Sequence, residues 1–262
     1  MTTAKEIAAR LAAARRTRTA LADFPGDVPT TLEDAYAIQR AGIALRGEAA
    51  IAGWKVGRIP PDMAARLGED RFIGPVYCDD VVLAPARGEA VFALFDGGSA
   101  AFEAEVAVTL GEVPDDTAPA TPEQARAWVV AAHIAVEVAG SPVATLPALK
   151  ALGSIPDQGN NNGQIIGARL PLDALDDPDT LSCTTRIDGV EIARAAASAL
   201  PGGPMAALAF AARRVAAIGM RLRAGQFVST GAITGVHAVR AGQRCEADFG
   251  RWGTITCRAT CS

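Results

Sequence analysis

The chain has 262 residues, half of them apolar, and a formal net charge of −4. That is enough for one large domain with its own core, and the mild acidity excludes a basic nucleic-acid-binding surface. No apolar run approaches the roughly 18 residues of a membrane span. None of the five cysteines forms a C-x-x-C pair, and an odd count with no secretory leader predicts reduced thiols in a cytoplasmic protein.

In chain order, the first stretch reads as helical. Thr3-Ala4-Lys5-Glu6 has the pattern of a capping box, and Ile7 and Leu11 follow at helical spacing. This predicts a helix over 5–16. Thr30-Thr31-Leu32-Glu33 reads as a second capping box, opening a helix with Leu32, Tyr36 and Ile43 on one face. An extended piece at 51–57 interrupts. Pro60-Pro61 then starts a short helix that Gly68 ends.

From residue 72 short β-branched runs alternate with Gly, Pro and Asp clusters. Strands are predicted at 81–83, 103–110, 134–138, 164–166, 181–187, 226–230, 236–239, 244–249 and 254–258. Two helices intervene, one opened by Thr121-Pro122 and one by Pro204 and closed by Gly219. The expected fold is α+β: a mainly helical segment at 1–70, then a rolled or barrel-like β-domain at 71–262, as one compact unit.

One strand carries the chemistry. In Phe102-Glu103-Ala104-Glu105-Val106-Ala107-Val108 the period-two alternation puts Glu103, Glu105 and Ala107 on one face, and Phe102, Val106 and Val108 on the other. A strand with one solvated face shows the same alternation. Glu137 adds a third carboxylate inside another apolar run, with no neighbouring Lys or Arg. Three carboxylates without Cys or His make a hard, oxygen-only ligand set suited to Mg²⁺ or Mn²⁺ rather than zinc.

Lys55 lies between Trp54 and Val56. Partial desolvation there would lower its pKa and fit it for proton transfer, although a surface lysine on an edge strand has the same sequence. Asp79 would orient water or Lys55, or simply make a turn in Cys78-Asp79-Asp80. Thr230 and Gly231 are candidate substrate contacts: a hydroxyl and a backbone N–H there would hold a carboxylate, although a turn residue explains Thr230 as well. His133 and His237 are isolated, and His133 is expected in the core.

Several segments together resemble the 2-keto-4-pentenoate hydratases and 4-oxalocrotonate decarboxylases of the fumarylacetoacetate hydrolase superfamily. They are Ala35-Tyr36-Ala37-Ile38-Gln39, Trp54-Lys55-Val56-Gly57, Gly74 with Asp79, the Glu-Ala-Glu strand, Val136-Glu137-Val138-Ala139-Gly140-Ser141, Asp157, Gly202-Gly203-Pro204, Thr230 to Gly235, and Glu246 to Gly250. The resemblance spans nearly the whole chain. It implies the superfamily's C-terminal-domain fold, Glu103, Glu105 and Glu137 holding Mg²⁺ or Mn²⁺, a chelating 2-keto acid substrate, Lys55 in the reaction, Asp157 as a substrate contact, and a homo-oligomer. The implied activity is a lyase, a hydratase of aromatic ring-cleavage products. A decarboxylase, or a non-catalytic metal-binding partner of a paralogous decarboxylase or hydratase, are the alternatives. The sequence departs from the family pattern at Ala100 and Ala101, in place of Pro-Arg, at Gly203, in place of His, and around Gly159, where a residue is inserted.

Overall fold

The computed structural model describes residues 2–114 and 121–261. Helix α1 (Ala4–Thr17) starts at a capping box between Thr3 and Glu6. Helix α2 (Leu32–Arg46) is capped one residue later than expected, with Thr31 accepting from the Asp34 N–H. Strand β1 (Ile51–Arg58), helix α3 (Pro61–Leu67) and strand β2 (Arg71–Tyr77) follow. Then come β3 (Val81–Leu83), β4 (Ala90–Leu94), β5 (Ser99–Leu110), α4 (Pro122–Arg126), β6 (Val129–Ser141), α5 (Leu146–Ser154) and β7 (Asn161–Leu170). The chain ends with β8 (Ser182–Ile187), β9 (Val190–Ala196), α6 (Gly203–Ala217), β10 (Phe227–Ser229), β11 (His237–Ala238), β12 (Arg244–Asp248) and β13 (Thr254–Cys261).

Two mixed sheets form. The larger runs β2-β1-β10-β5-β6-β7-β3, with β11 also on β5; the smaller runs β4-β13-β12-β8-β9. The α+β expectation of N-terminal helices and a curled mixed sheet holds. Strand β1 falls on the extended piece expected at 51–57 and pairs with β10 and β2, so the mainly helical segment contributes a strand to the larger sheet. Sequence reading missed β2 because its Gly74-Pro75 resembles a turn. The larger sheet ends at β2, and an edge strand tolerates a proline. It also missed β4, β9 and α5.

The larger sheet has two unlike faces. Phe102, Ala104, Val106 and Val108 join Trp54, Val56 and buried residues of α6 such as Leu208 and Val215 in the main core. The opposite face carries Lys55, Glu103, Glu105 and Glu137, bordered by Val76, Ala107, Ala135 and Phe227. The apolar stripe of α1 (Ile7, Ala8, Leu11) packs on Phe24, Ile38, Val143 and Leu146 of the same chain. This stripe of α1 is therefore covered within the chain. Among the described residues, no helix is long and apolar enough to cross a membrane.

Candidate metal centre and active site

Strand register gathers the acids. Glu103 on β5 pairs directly with Glu137 on β6, and opposed residues in an antiparallel pair point to the same side. Glu105 follows Glu103 by two residues and shares that face. Each of the three offers an oxygen within 4.8 Å of the others. Glu105 and Glu137 are fully buried and Glu103 is 5% exposed, which rules out the solvated-face alternative.

Neighbours fix each carboxylate. Glu105 accepts from the Ser229 hydroxyl and, at 3.1 Å, from the Gly231 N–H. Glu137 accepts from Asn161 Nδ2 at 3.0 Å and lies 3.1 Å from Lys55 Nζ. Glu105 Oε1 is buried with no hydrogen-bond partner. Burial pushes the Glu103 carboxyl up to about 8, and the charge of Glu137 adds to the rise while Lys55 opposes it. Glu105 is raised well above the ordinary range by burial and by Glu137 and Glu103. Converging anions that resist ionisation, with an oxygen left unpaired, fit a bound divalent cation: it supplies the missing positive charge and takes hard oxygen ligands.

Lys55 is 3% exposed and stands over the Phe72 ring. The expected lowering of its pKa is reversed. Burial does press it down, but Glu137, Glu103 and Glu105 outweigh burial and raise it. The apolar neighbours Trp54 and Val56 face the core on the other side of the sheet; Lys55 is enclosed instead by Phe72 and by three carboxylates from across the sheet, which its own strand does not reveal. Gly159 explains the departure in that loop. Its φ is +66°, and an added Cβ would come within 2.7 Å of Gly74 Cα and 3.2 Å of Lys55 Cδ. Only glycines at 74 and 159 let this turn close over the lysine stem.

A sequence family described as fumarylacetoacetate (FAA) hydrolase C-terminal matches residues 76–260. The chain belongs to the fumarylacetoacetate hydrolase family. Solved structures agree in fold. A 4-oxalocrotonate decarboxylase from Pseudomonas putida G7, complexed with magnesium and adipate, is 23% identical with a TM-score of 0.82, over 98% of this chain and 97% of that one. A fumarylpyruvate hydrolase from Pseudomonas aeruginosa, in complex with Mn²⁺ and pyruvate, is 20% identical with a TM-score of 0.57, over 80% and 89%. A 2-hydroxyhepta-2,4-diene-1,7-dioate isomerase from Mycobacterium marinum is 18% identical with a TM-score of 0.57, over 81% and 76%.

Within this FAA hydrolase fold, four expected site residues have other partners. The Asp79 side chain is 93% exposed, with Arg46 at 3.9 Å, and it is not among the acids acting on Lys55. Its turn points it to solvent, so it does not orient the lysine. Asp157 is buried, but Arg15 and Ser141 take both of its oxygens, so it anchors α1 rather than holding substrate. The Thr230 hydroxyl donates to the Val106 carbonyl, and the Gly231 N–H is committed to Glu105. That turn supports a glutamate instead of a substrate carboxylate. His133 is half-buried at the sheet's end, opposite Arg169, not in the core.

Sequence reading missed Ser229, Asn161 and Gln164. Ser229 lay inside a predicted strand, and its register with Lys55 and Ala107 brings it to the glutamates. Gly203 starts α6 beside Pro178. Ala101 lies on the glutamate face and Ala100 against the core. A cavity of 660 Å³ between α1 and α2 is lined by Arg15, Arg18, Arg46 and Tyr77, but by neither Lys55 nor any of the glutamates.

Proposed function

We propose that the protein is a divalent-metal-dependent hydratase of a small unsaturated 2-keto acid, acting on products of aromatic ring cleavage. It converts a 2-hydroxy-2,4-dienoate and water into a 4-hydroxy-2-keto acid. The observation that carries this reading is a trio of buried carboxylates with a buried lysine 3.1 Å from one of them. Glu103, Glu105 and Glu137 would hold Mg²⁺ or Mn²⁺. When bound, such a cation supplies Lewis-acid stabilisation of negative charge on the C2 oxygen of the keto acid.

The chain's own groups do the rest. Lys55 Nζ, placed 3.1 Å from Glu137 Oε2 on the glutamate face, is the acid that delivers a proton to the far carbon of the dienol. The enol proton returns to Lys55, leaving a conjugated 2-keto-3-enoate, and water then adds across its double bond, with the hydroxyl on C4 and a proton on C3. Ser229 and the Gly231 N–H hold Glu105, and Asn161 holds Glu137, so the ligand oxygens keep their orientation. Val76, Ala107, Ala135 and Phe227 form a dry wall beside them.

Decarboxylation of a 2-ketodioic acid is the second reading, supported by the near-complete overlap with the decarboxylase fold. Hydration is favoured because Lys55, the cation on the glutamate face, is already paired with Glu137, so a tail carboxylate would need a further cation. Arg15 approaches from outside and is engaged by Asp157 and three backbone carbonyl groups. The test is an absorbance screen of dienol and keto-acid substrates with Mg²⁺ and Mn²⁺, with products identified by mass. A product heavier by one water supports hydration; loss of CO₂ makes the protein a decarboxylase. No turnover despite metal binding makes it a non-catalytic partner. We further propose a cytoplasmic homo-oligomer, at least a dimer, with exposed Val190 and Ile192 of edge strand β9 available for contact. A monomer mass by light scattering at micromolar concentrations would refute the assembly.

A further inference from the structure

One polar side chain on the glutamate face has no part in the chemistry above. Gln164 is 1% exposed, and neither its Nε2 nor its Oε1 has a hydrogen-bond partner. Leaving a buried polar group unpaired is costly, and native structures keep such groups where something else supplies the partner. Strand register places the amide. Glu103 opposes Glu137, and Glu137 opposes Gln164. Directly opposed residues share a face, with Cβ atoms about 4.5–5.5 Å apart. Gln164 is therefore the next side chain in a row that begins with two of the three proposed metal ligands. The adjacent row runs Glu105, Ala135, Ile166, so the two residues of it on β6 and β7, next to Glu137 and Gln164, have nothing to offer an amide.

The donor set limits what the amide recognises. A side-chain amide carries two N–H donors and one carbonyl acceptor. A carboxylate only accepts, so it would satisfy Nε2 and leave Oε1 unpaired in a dry site. A hydroxyl accepts from Nε2 and donates to Oε1. Charge points the same way. Three carboxylates, one ammonium and one divalent cation sum to zero, so a monocarboxylate brings one uncompensated negative charge and a dicarboxylate brings two. Burying the second without a partner is costly.

We propose that Gln164 is a specificity-determining substrate contact, hydrogen-bonding a hydroxyl on the tail of a monocarboxylic 2-keto acid and selecting against a tail carboxylate. This rests on the keto-acid reading of the site given above. In that reading the hydroxyl is the one that water becomes at C4.

The test is titration calorimetry of the Mn²⁺-loaded protein with 4-hydroxy-2-oxopentanoate, 2-oxopentanoate and 2-oxohexanedioate. The wild type is expected to bind the hydroxy acid about tenfold more tightly than its deoxy analogue, a difference on the scale of one or two hydrogen bonds. It is expected to bind the dicarboxylate most weakly. Gln164→Leu should abolish the hydroxyl preference while leaving 2-oxopentanoate and Mn²⁺ affinities unchanged. Gln164→Met serves if the leucine variant does not fold, and the wild-type comparison stands without either. No hydroxyl preference in the wild type, a preference that survives in the variant, or tightest binding of the dicarboxylate would overturn the proposal. If 2-oxopentanoate binds only with Mn²⁺ but the hydroxyl is ignored, the role of Gln164 alone fails. If none of the three acids binds, the keto-acid reading fails and takes this proposal with it.

Discussion

Lys55 Nζ lies 3.1 Å from Glu137 Oε2, and both side chains are almost wholly excluded from water. A buried ion pair of this kind gains its attraction against a large desolvation cost. Here the attraction wins at the lysine because Glu103 and Glu105 add to it. The excess is negative: three carboxylates face one ammonium. The pair thus joins the proposed proton donor to a site that still needs positive charge.

Lys55→Ala should lower turnover by roughly 10²–10⁴-fold, the usual range for a positioned general acid. Mn²⁺ affinity should be retained or increased, because a competing cation has left the glutamates. Steady-state kinetics alongside metal titration separates the two effects. Unchanged turnover would remove Lys55 from the chemistry.

Ser229→Ala should weaken metal binding by about 10–100-fold, as loss of a hydrogen bond that orients a ligand commonly does. Ser229 donates to Glu105, whose other oxygen is unpartnered. Mn²⁺ calorimetry on wild type and variant measures this. Equal affinities would mean that Glu105 is not a ligand.

Metal-free protein should lose stability as pH rises from about 4.3, the ordinary glutamate value, to about 8. The sign follows from linkage: Glu103 has a folded-state pKa above its unfolded one, so the folded chain binds more protons in that window. Stability is greatest below the unfolded pKa and declines as the carboxyl is forced to ionise. A divalent cation binds the ionised form and reverses the loss. Thermal melts with Mg²⁺ and with a chelator should therefore diverge more at pH 8 than at pH 6. A metal-independent melting profile would contradict both the site and the titration.

Arg15→Ala should destabilise the fold by about 3–5 kcal/mol, the range for removing one partner of a buried pair. The Arg15 guanidinium donates to both oxygens of Asp157, one of them at 2.9 Å, and to the carbonyls of Gly140 and Asn161. Asp157 would be left buried with only Ser141. Urea unfolding measures the loss. A change below about 1 kcal/mol, typical of an exposed pair, would show that solvent reaches the site.

The sequence by itself determined the local elements and the ligand chemistry. Thr3 and Glu6 close the cap on α1, Gly68 ends α3 in a left-handed conformation, and the alternation in 102–108 put Glu103 and Glu105 on one face. These features depend on neighbours a few residues apart, so they are written in the local pattern. The tertiary structure alone decided the partners. That Glu137 opposes Glu103, that Ser229 reaches Glu105, and that Gln164 stands unpaired beside Glu137 are facts of strand register. Register joins residues that lie tens of positions apart in the chain, 124 apart in the case of Ser229 and Glu105, and no local spacing encodes it. The same reason explains the corrections. Asp157 has the composition of a substrate contact until Arg15 arrives from α1, and Lys55 looks desolvated toward neutrality until three carboxylates close around it. Electrostatics in a buried site is set by what the fold brings within a few ångströms, and for Lys55 that environment comes from β2, β5 and β6, not from its own strand.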